Sequence, residues 1–361
     1  MIDIAGAVAV EALDETAQDR GVAAHYGDPM REQRLLATDV GLVDRSNRGV
    51  VAVPGEERAS WLHTLTTQHL ADLRAGQGSE LLVLSPHGHV EHHAFVAEDG
   101  TTTWLDTEPG ATEGLLKYLE MMRFFTKVDP RDATDDRAML SLVGPRAVEA
   151  AALLDEGLRG LAAPDAVAVP GAKFAAGDVP ARPTTLYDVK ILENGGWARR
   201  GHLGVDVLLP RDAFETTARQ LLDQGVAPAG QWAYEAIRVG ARTPRLGWET
   251  DHRTIPAEID LLGPAVHLDK GCYRGQETVA RVHHLGRAPR RLALLHLDGV
   301  TTDQPPAHGA EVTLDGRAVG FVGTAVRHYE LGTVALAVLK RNVPDDAALR
   351  VGESTAAIDP A

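Results

Sequence analysis

The chain has 361 residues, 44% of them apolar and 24% charged, which is the make-up of a soluble globular protein too long for one ordinary core, so two or three domains are expected. Its net charge of −15 argues against a nonspecific grip on nucleic acid or on an anionic membrane surface. A single cysteine, Cys272, excludes an intrachain disulfide and a self-contained cysteine-rich metal site, and no apolar run reaches membrane-spanning length.

The start, Met1-Ile2-Asp3-Ile4, lacks the basic region of a secretory signal, so the cytoplasm is the expected location. Residues 1–20 are acidic and Ala-rich and read as a loose N-terminal arm. His25-Tyr26-Gly27-Asp28-Pro29 reads as a turn. Residues 40–53 alternate apolar side chains around a polar stretch at 44–49, which predicts strand, turn and strand. Residues 56–70 read as a helix with Trp61, Leu62, Leu65 and Leu70 close to one face and two glutamates in its first turn. Leu81–Leu84 and Val90–Val96 predict a hairpin broken at Pro86-His87-Gly88. A second amphipathic helix covers 111–125 with Leu115, Leu116, Leu119 and Met122 inward. Strands and helices interleave through 139–143, 145–154, 205–208 and 212–222 without a Rossmann glycine fingerprint, so the fold class is α+β.

Residues 160–184, rich in Ala, Gly and Pro, predict a loop or edge segment, and 231–238 is helical again. Beyond Arg291 the texture changes to short β-rich runs at 292–297, 310–314, 318–327 and 332–339. Asp315-Gly316 between two of them is a hairpin signal. That predicts a separate small β-domain, which together with the rest divides the chain into an arm (1–34), a main α+β region (35–285) and a C-terminal β-barrel domain (286–361).

Chemistry gathers at Lys270-Gly271-Cys272-Tyr273-Arg274-Gly275-Gln276-Glu277. Glycines four apart let backbone approach a ligand or take positive φ. Lys270 and Arg274 flank the thiol, and cations raise a thiol's thiolate fraction. Tyr273, Gln276 and Glu277 add a ring, an amide and a carboxylate. The blander alternative is a tight loop with an inert, buried Cys272, followed by a helix on which Glu277 and Arg281 form an ordinary i,i+4 pair. A second constellation is His87-Gly88-His89-Val90-Glu91-His92-His93. On a regular strand His89, Glu91 and His93 share a face, a donor set suited to zinc or iron, although spacing alone more often marks a polar strand face. The likeliest basic patch runs from Arg281 to Arg291.

The run Lys270–Glu277, continued by Val279-Ala280-Arg281 and preceded by Ile255-Pro256-Ala257-Glu258, resembles the K-G-C-Y-x-G-Q-E signature of the YgfZ family, relatives of the glycine-cleavage T-protein (aminomethyltransferase). The similarity runs from about Gly21 to Val351. The resemblance implies a T-protein-like α+β architecture: two intertwined α+β subdomains and a C-terminal β-barrel around a central cavity. It implies tetrahydrofolate or a derivative as ligand, and a folate-binding accessory role in iron–sulfur cluster assembly or repair, with client or assembly proteins as partners. It places Lys270, Gly271, Tyr273, Gly275, Gln276 and Glu277 at the ligand, and gives Cys272 a reactive role as nucleophile, redox sensor or transient single-thiolate ligand. One cysteine cannot hold a cluster alone.

In the T-protein family a glutamate accepts the adjacent N–H donors of the pterin edge. The matching segment, Gly201-His202-Leu203-Gly204-Val205-Asp206-Val207, makes Asp206 the candidate here. Arg238 aligns with an arginine expected at the ligand's glutamate tail; its alternative is an ion pair with Glu235. The loop Asp251-His252-Arg253 is expected at the same cavity. His92 and His93 stand where the T-protein carries paired aspartates, one catalytic. That substitution ranks a folate-dependent aminomethyl or one-carbon transferase second and leaves enzymatic turnover open. A histidine-based metalloprotein ranks third.

Overall fold

The computed structural model describes residues 1–14, 17–167, 184–298 and 304–360. Among these residues, twelve strands form one sheet in the order 227–229, 41–44, 137–143, 204–210, 197–200, 184–191, 77–84, 90–98, 102–107, 49–54 and 131–132, with 165–167 on the edge of 184–191. The strand Thr184–Ile191 joins two halves. Tyr187 and Asp188 pair with the strand Gln77–Leu84, and Val189 to Ile191 pair with Trp197–Arg200. All these pairings are antiparallel except Ala227–Ala229 on Gly41–Asp44. A mostly antiparallel sheet with helices packed on it is the expected α+β class.

The apolar runs form where alternation predicts them. Leu42, Leu140, Leu142, Val205 and Val207 turn one sheet face toward the helices Ala147–Ala151 and Arg211–Asp223. Leu81, Val83, Ala94, Val96 and Leu105 meet the helices Arg58–Leu65 and Thr112–Met121 through Trp61, Leu62, Leu115 and Leu119. Both helices are shorter than the sequence suggests: Leu70 lies past the first, and Phe124 and Phe125 stand exposed past the second. Most of the loop predicted at 160–184 (168–183) lies outside the described residues. Its start, Asp165–Val167, pairs as an edge strand.

The N-terminal segment is not loose. Ile2 is buried in the main core, its N–H donates to Asp44 Oδ2 at 2.8 Å, and Val8–Ala9 pairs with Ala23–His25. The helix Pro29–Thr38 then starts on Asp28, which accepts from the N–H groups of Met30 and Arg31, with proline in the first turn.

The strands 290–297, 311–314, 317–328, 332–340, 349–351 and 354–358 form a closed six-stranded barrel. Asp315 (φ 50°) and Gly316 (φ 73°) make the two-residue turn between Glu311–Leu314 and Arg317–His328, the left-handed pair that a tight hairpin needs. Two strands without a strong sequence signal, Leu349–Val351 and Ser354–Ile358, close the barrel. The barrel rests on the helix Gln231–Gly240, where Val239 packs on Leu294, Val334 and Leu336. Among the described residues no helix is long and apolar enough to cross a membrane.

Candidate functional site

A central cavity of about 440 Å³ opens between the two sheet halves, the helix Gln231–Gly240 and the segment 261–264. Asp206 lies in its wall. Asp206 pairs with Ser141 on one neighbouring strand and with Arg199 on the other, so the three side chains share a face. Ser141 Oγ donates to Asp206 Oδ1 at 2.6 Å, and Arg199 Nη2 to Oδ2 at 3.1 Å. The Asp206 side chain keeps 27% of its surface exposed, and each carboxylate oxygen has accepting capacity beyond the one bond it makes. Burial alone would raise its pKa; Arg199 and Arg45, with the Ser141 hydrogen bond, outweigh that and hold it below the usual carboxylate range. The sequence-predicted acceptor is therefore an anion facing the cavity.

The same cavity wall holds a group that sequence reasoning did not assemble. His93 is buried in the cavity wall, and its Nε2 lies 3.0 Å from Glu80 Oε2. Glu80 also accepts a short hydrogen bond from the Tyr187 hydroxyl. Burial opposes charge on Glu80, but His93 and Tyr187 bring its pKa below the ordinary value. Burial and that same carboxylate push Tyr187 well up, so the phenol stays a donor. An ionised Glu80 fixes the His93 tautomer with the proton on Nε2, leaving Nδ1 without a partner among the described residues. One signal for Glu80 was present: it is a charge at the head of the apolar run Leu81–Leu84, which survives burial only when paired.

The metal reading of His89, Glu91 and His93 does not hold. The pairing slips between Val83, opposite His92, and Leu84, opposite Val90, so Glu91 is a bulge residue and the alternation breaks. Glu91 turns outward to Arg274 at 3.0 Å, while His93 turns inward to Glu80. No group of three metal-ligating side chains occurs among the described residues. His92 faces away from the cavity toward Tyr118 and Gly114, and burial with the nearby Arg274 charge lowers its pKa to about 4.

Behind the cavity wall runs a chain of buried ion pairs. Arg199 continues from Asp206 to Asp106 at 2.7 Å, Arg48 bridges Asp106 and Glu108 at 3.0 Å each, and Arg245 ties Glu108 to Asp19 and Glu235. Arg238 ends the chain and is not a ligand for a folate tail. Its five N–H donors go to Glu235 (two), Glu249, the Thr243 carbonyl and Thr324 Oγ1, and the side chain is about 1% exposed. The pair with Glu235 forms, but buried in the interior and not on the helix surface where the alternative put it. Asp251 likewise does not reach the cavity; it anchors the barrel by binding Arg290, and His252 and Arg253 are exposed. Ion pairs of Arg290 and Arg291 also reduce the expected basic patch.

The signature loop lies outside the cavity lining. Lys270 does not touch a ligand site: its ammonium donates to the carbonyls of His63, Thr66 and Gln68, closing the C-terminal end of the helix Arg58–Leu65. Burial lowers its pKa to about 8. Cys272 is exposed, which removes the inert buried alternative and also the picture of a thiolate beside a ligand in the cavity. Gly271 is exposed with open space around its Cα, so no close approach requires glycine there. Gly275 does require it. With φ 81° it caps the helix Gln276–Leu285, and a Cβ would lie 2.8 Å from Gly88 Cα and 2.6 Å from the Ser85 carbonyl oxygen. The signature thus locks onto the turn of the hairpin that carries His93. Tyr273 packs in the core beneath, with its pKa raised to about 12 by burial, and Gln276 Oε1 accepts from the Tyr273 N–H. Glu277 is exposed in the first helical turn, and no ion pair joins it to Arg281 among the described residues.

Residues 23–176 match the profile of the GCVT N-terminal domain. A chloroplastic Arabidopsis thaliana protein, named provisionally as a transferase, is 26% identical over 80% of this chain, and the match spans 63% of that protein's length. The aminomethyltransferases of Rippkaea orientalis (26% identical, 86% of this chain and 81% of that one) and Rubrobacter xylanophilus (28%, 85% and 77%) are similar over most of their length. The crystal structure of glycine cleavage system aminomethyltransferase T from Bartonella henselae superposes with a TM-score of 0.77 at 18% identity, covering 99% of this chain and 94% of that one. The chain therefore has the T-protein fold along nearly its whole length, with a GCVT N-terminal domain match confined to its first half.

Proposed function

We propose that this protein binds a reduced folate in the central cavity and acts as a folate-dependent accessory factor in iron–sulfur cluster assembly or repair. One observation carries the folate reading. Asp206 is an ionised carboxylate in the cavity wall, with its oxygens already oriented by Ser141 and Arg199, and the resemblance matches it to the pterin-binding glutamate of the T-protein. Two adjacent N–H donors of a pterin edge suit such an acceptor, and the charge strengthens both bonds. A cavity of about 440 Å³ is within the range of small-molecule sites. The accessory role is supported by the signature and by the exposed Cys272, which is open to a partner protein.

Anaerobic calorimetric titration with tetrahydrofolate tests the ligand. One-site binding is expected, and Asp206→Asn should weaken it by about tenfold or more through loss of charge-assisted hydrogen bonds. No saturable binding to the wild type removes the folate reading. Cys272→Ser should leave folate binding intact and lower the activity of an iron–sulfur enzyme in cells that depend on this protein.

A second reading has its own observation. His93, oriented by Glu80, lines the same cavity and can move a proton at Nδ1, as a general base of a one-carbon transferase would. Formation of methylenetetrahydrofolate from an aminomethyl-lipoyl donor, lost in His93→Ala, would promote it above the accessory role.

A further inference from the structure

A second cavity, of about 720 Å³, lies between the N-terminal segment, the helices Pro29–Thr38 and Gln231–Gly240, and the barrel strand Arg317–His328. Among the described residues it shares no lining side chain with the central cavity. Much of its wall is apolar, from Val10, Leu13, Met30, Trp232, Pro305 and Pro306. The carboxylates of Asp19 and Glu235 also line it, but their charges are settled. Arg245 pairs with both, and Arg238 pairs with Glu235 as well. Two other lining groups are not settled. Gln231 is 3% exposed, and its Oε1 is buried without a hydrogen-bond partner; the buried Trp248 Nε1–H has none either. The Gln231 amide is fixed in this sense, because its Nε2 donates to Glu235 Oε1 at 3.4 Å and a flip would set two oxygens against each other. Arg245 Nη1 reaches the same Glu235 oxygen at 2.9 Å, and its Cζ lies 5.7 Å from the centre of the Trp248 ring. The unused acceptor and the unused donor thus gather around one carboxylate.

A buried amide oxygen and a buried indole N–H left unmet are both unfavourable unless a bound molecule completes them. The charges nearby select that molecule. A ligand carboxylate would add to Asp19 and Glu235, and a ligand cation would find both already paired. What remains is an uncharged group that offers an N–H and a carbonyl together. Walls of indole and proline suit a flat ring. Trp248 is itself held edge-on against His308, with ring centroids 5.2 Å apart, and His308 Nδ1 lies 3.0 Å from the Gly323 carbonyl, so the indole N–H has a fixed direction. We propose that this second cavity binds an uncharged aromatic lactam, whose N–H donates to Gln231 Oε1 and whose carbonyl accepts from Trp248 Nε1–H. The inference does not depend on the folate reading of the central cavity.

The probe is 2-quinolone, followed by proton–nitrogen NMR of the tryptophan indole N–H groups in the full chain. Trp248→Phe identifies the Trp248 signal by its loss. Titration should move that signal downfield to saturation, as the N–H gains an acceptor. N-methyl-2-quinolone keeps the ring and the carbonyl but brings no N–H to Gln231, and it should bind about tenfold more weakly. Gln231→Met should weaken 2-quinolone to the level of the methylated analogue and leave the analogue itself unchanged, so that the preference disappears. A Trp248 signal that stays in place at millimolar 2-quinolone overturns the site. Equal wild-type affinity for the two quinolones, or a preference that survives in Gln231→Met, overturns the lactam assignment. The comparison of the two quinolones uses the wild-type protein, so it decides the matter even if Gln231→Met folds poorly.

Discussion

His92 and His93 are neighbours in sequence, but the strand sends them to opposite faces, and their environments separate their chemistry. His93 meets an anionic partner in the cavity wall. His92 meets a tyrosine ring, a helix glycine and the Arg274 charge, and its pKa falls to about 4. An unfolded histidine titrates near about 6.5. Between those values the unfolded chain binds a proton that the folded chain refuses, so stability is full above about pH 6.5 and declines as pH falls toward about 4. His63, lowered to about 4 by burial and by Lys270, acts with the same sign. In His92→Gln the loss of melting temperature between pH 6.5 and pH 4 should shrink, and adding His63→Gln should shrink it further. An unchanged slope in the double variant would mean that other groups carry the acid sensitivity.

At the scale of elements, much of the fold was legible because it is written in local patterns. The hairpin at Asp315-Gly316 and the apolar strands of the sheet formed where alternation and turn residues placed them, and the two amphipathic helices formed in place but ended earlier than the pattern suggests. The site was less legible, because its members meet only in the tertiary structure. Glu80 finds Tyr187 across 107 residues, and Arg199 finds Asp106 across 93. A bulge at Glu91 broke the alternation on which the metal reading depended. The signature was visible, yet spacing could not tell a ligand loop from a structural clasp. Its two glycines now separate those roles. Gly275→Ala forces a Cβ into Ser85 and Gly88 at positive φ and should cost about 1–3 kcal/mol. Gly271→Ala enters open space and should stay within about 0.5 kcal/mol of wild type. Urea midpoints of the two variants check this; equal effects would mean that the loop does not depend on the Gly88 contact.

For the whole molecule, the question is what makes sheet and barrel one body. The contact between them is centred on Arg238, whose fork reaches Glu235 on its own helix, Glu249 in the following loop and Thr324 on a barrel strand. Glu249 is fully buried and also accepts from Thr324 Oγ1 at 2.6 Å, in space left by Gly323, where a Cβ would stand 2.6 Å from its Oε1. Removing the cation leaves the buried Glu249 without an ion pair and Glu235 with Arg245 alone, a loss of about 3–5 kcal/mol in comparable sites. Thr324→Val removes hydrogen bonds and leaves every charge paired, so it should cost only about 1–2 kcal/mol. Scanning calorimetry of Arg238→Met should therefore show a much lower melting temperature and a barrel transition separated from that of the sheet body, whereas Thr324→Val keeps one transition. If both variants melt together as one unit with similar shifts, the apolar contact of Val239 with Leu294, Val334 and Leu336 is what couples the barrel, and the charge chain serves the cavity alone.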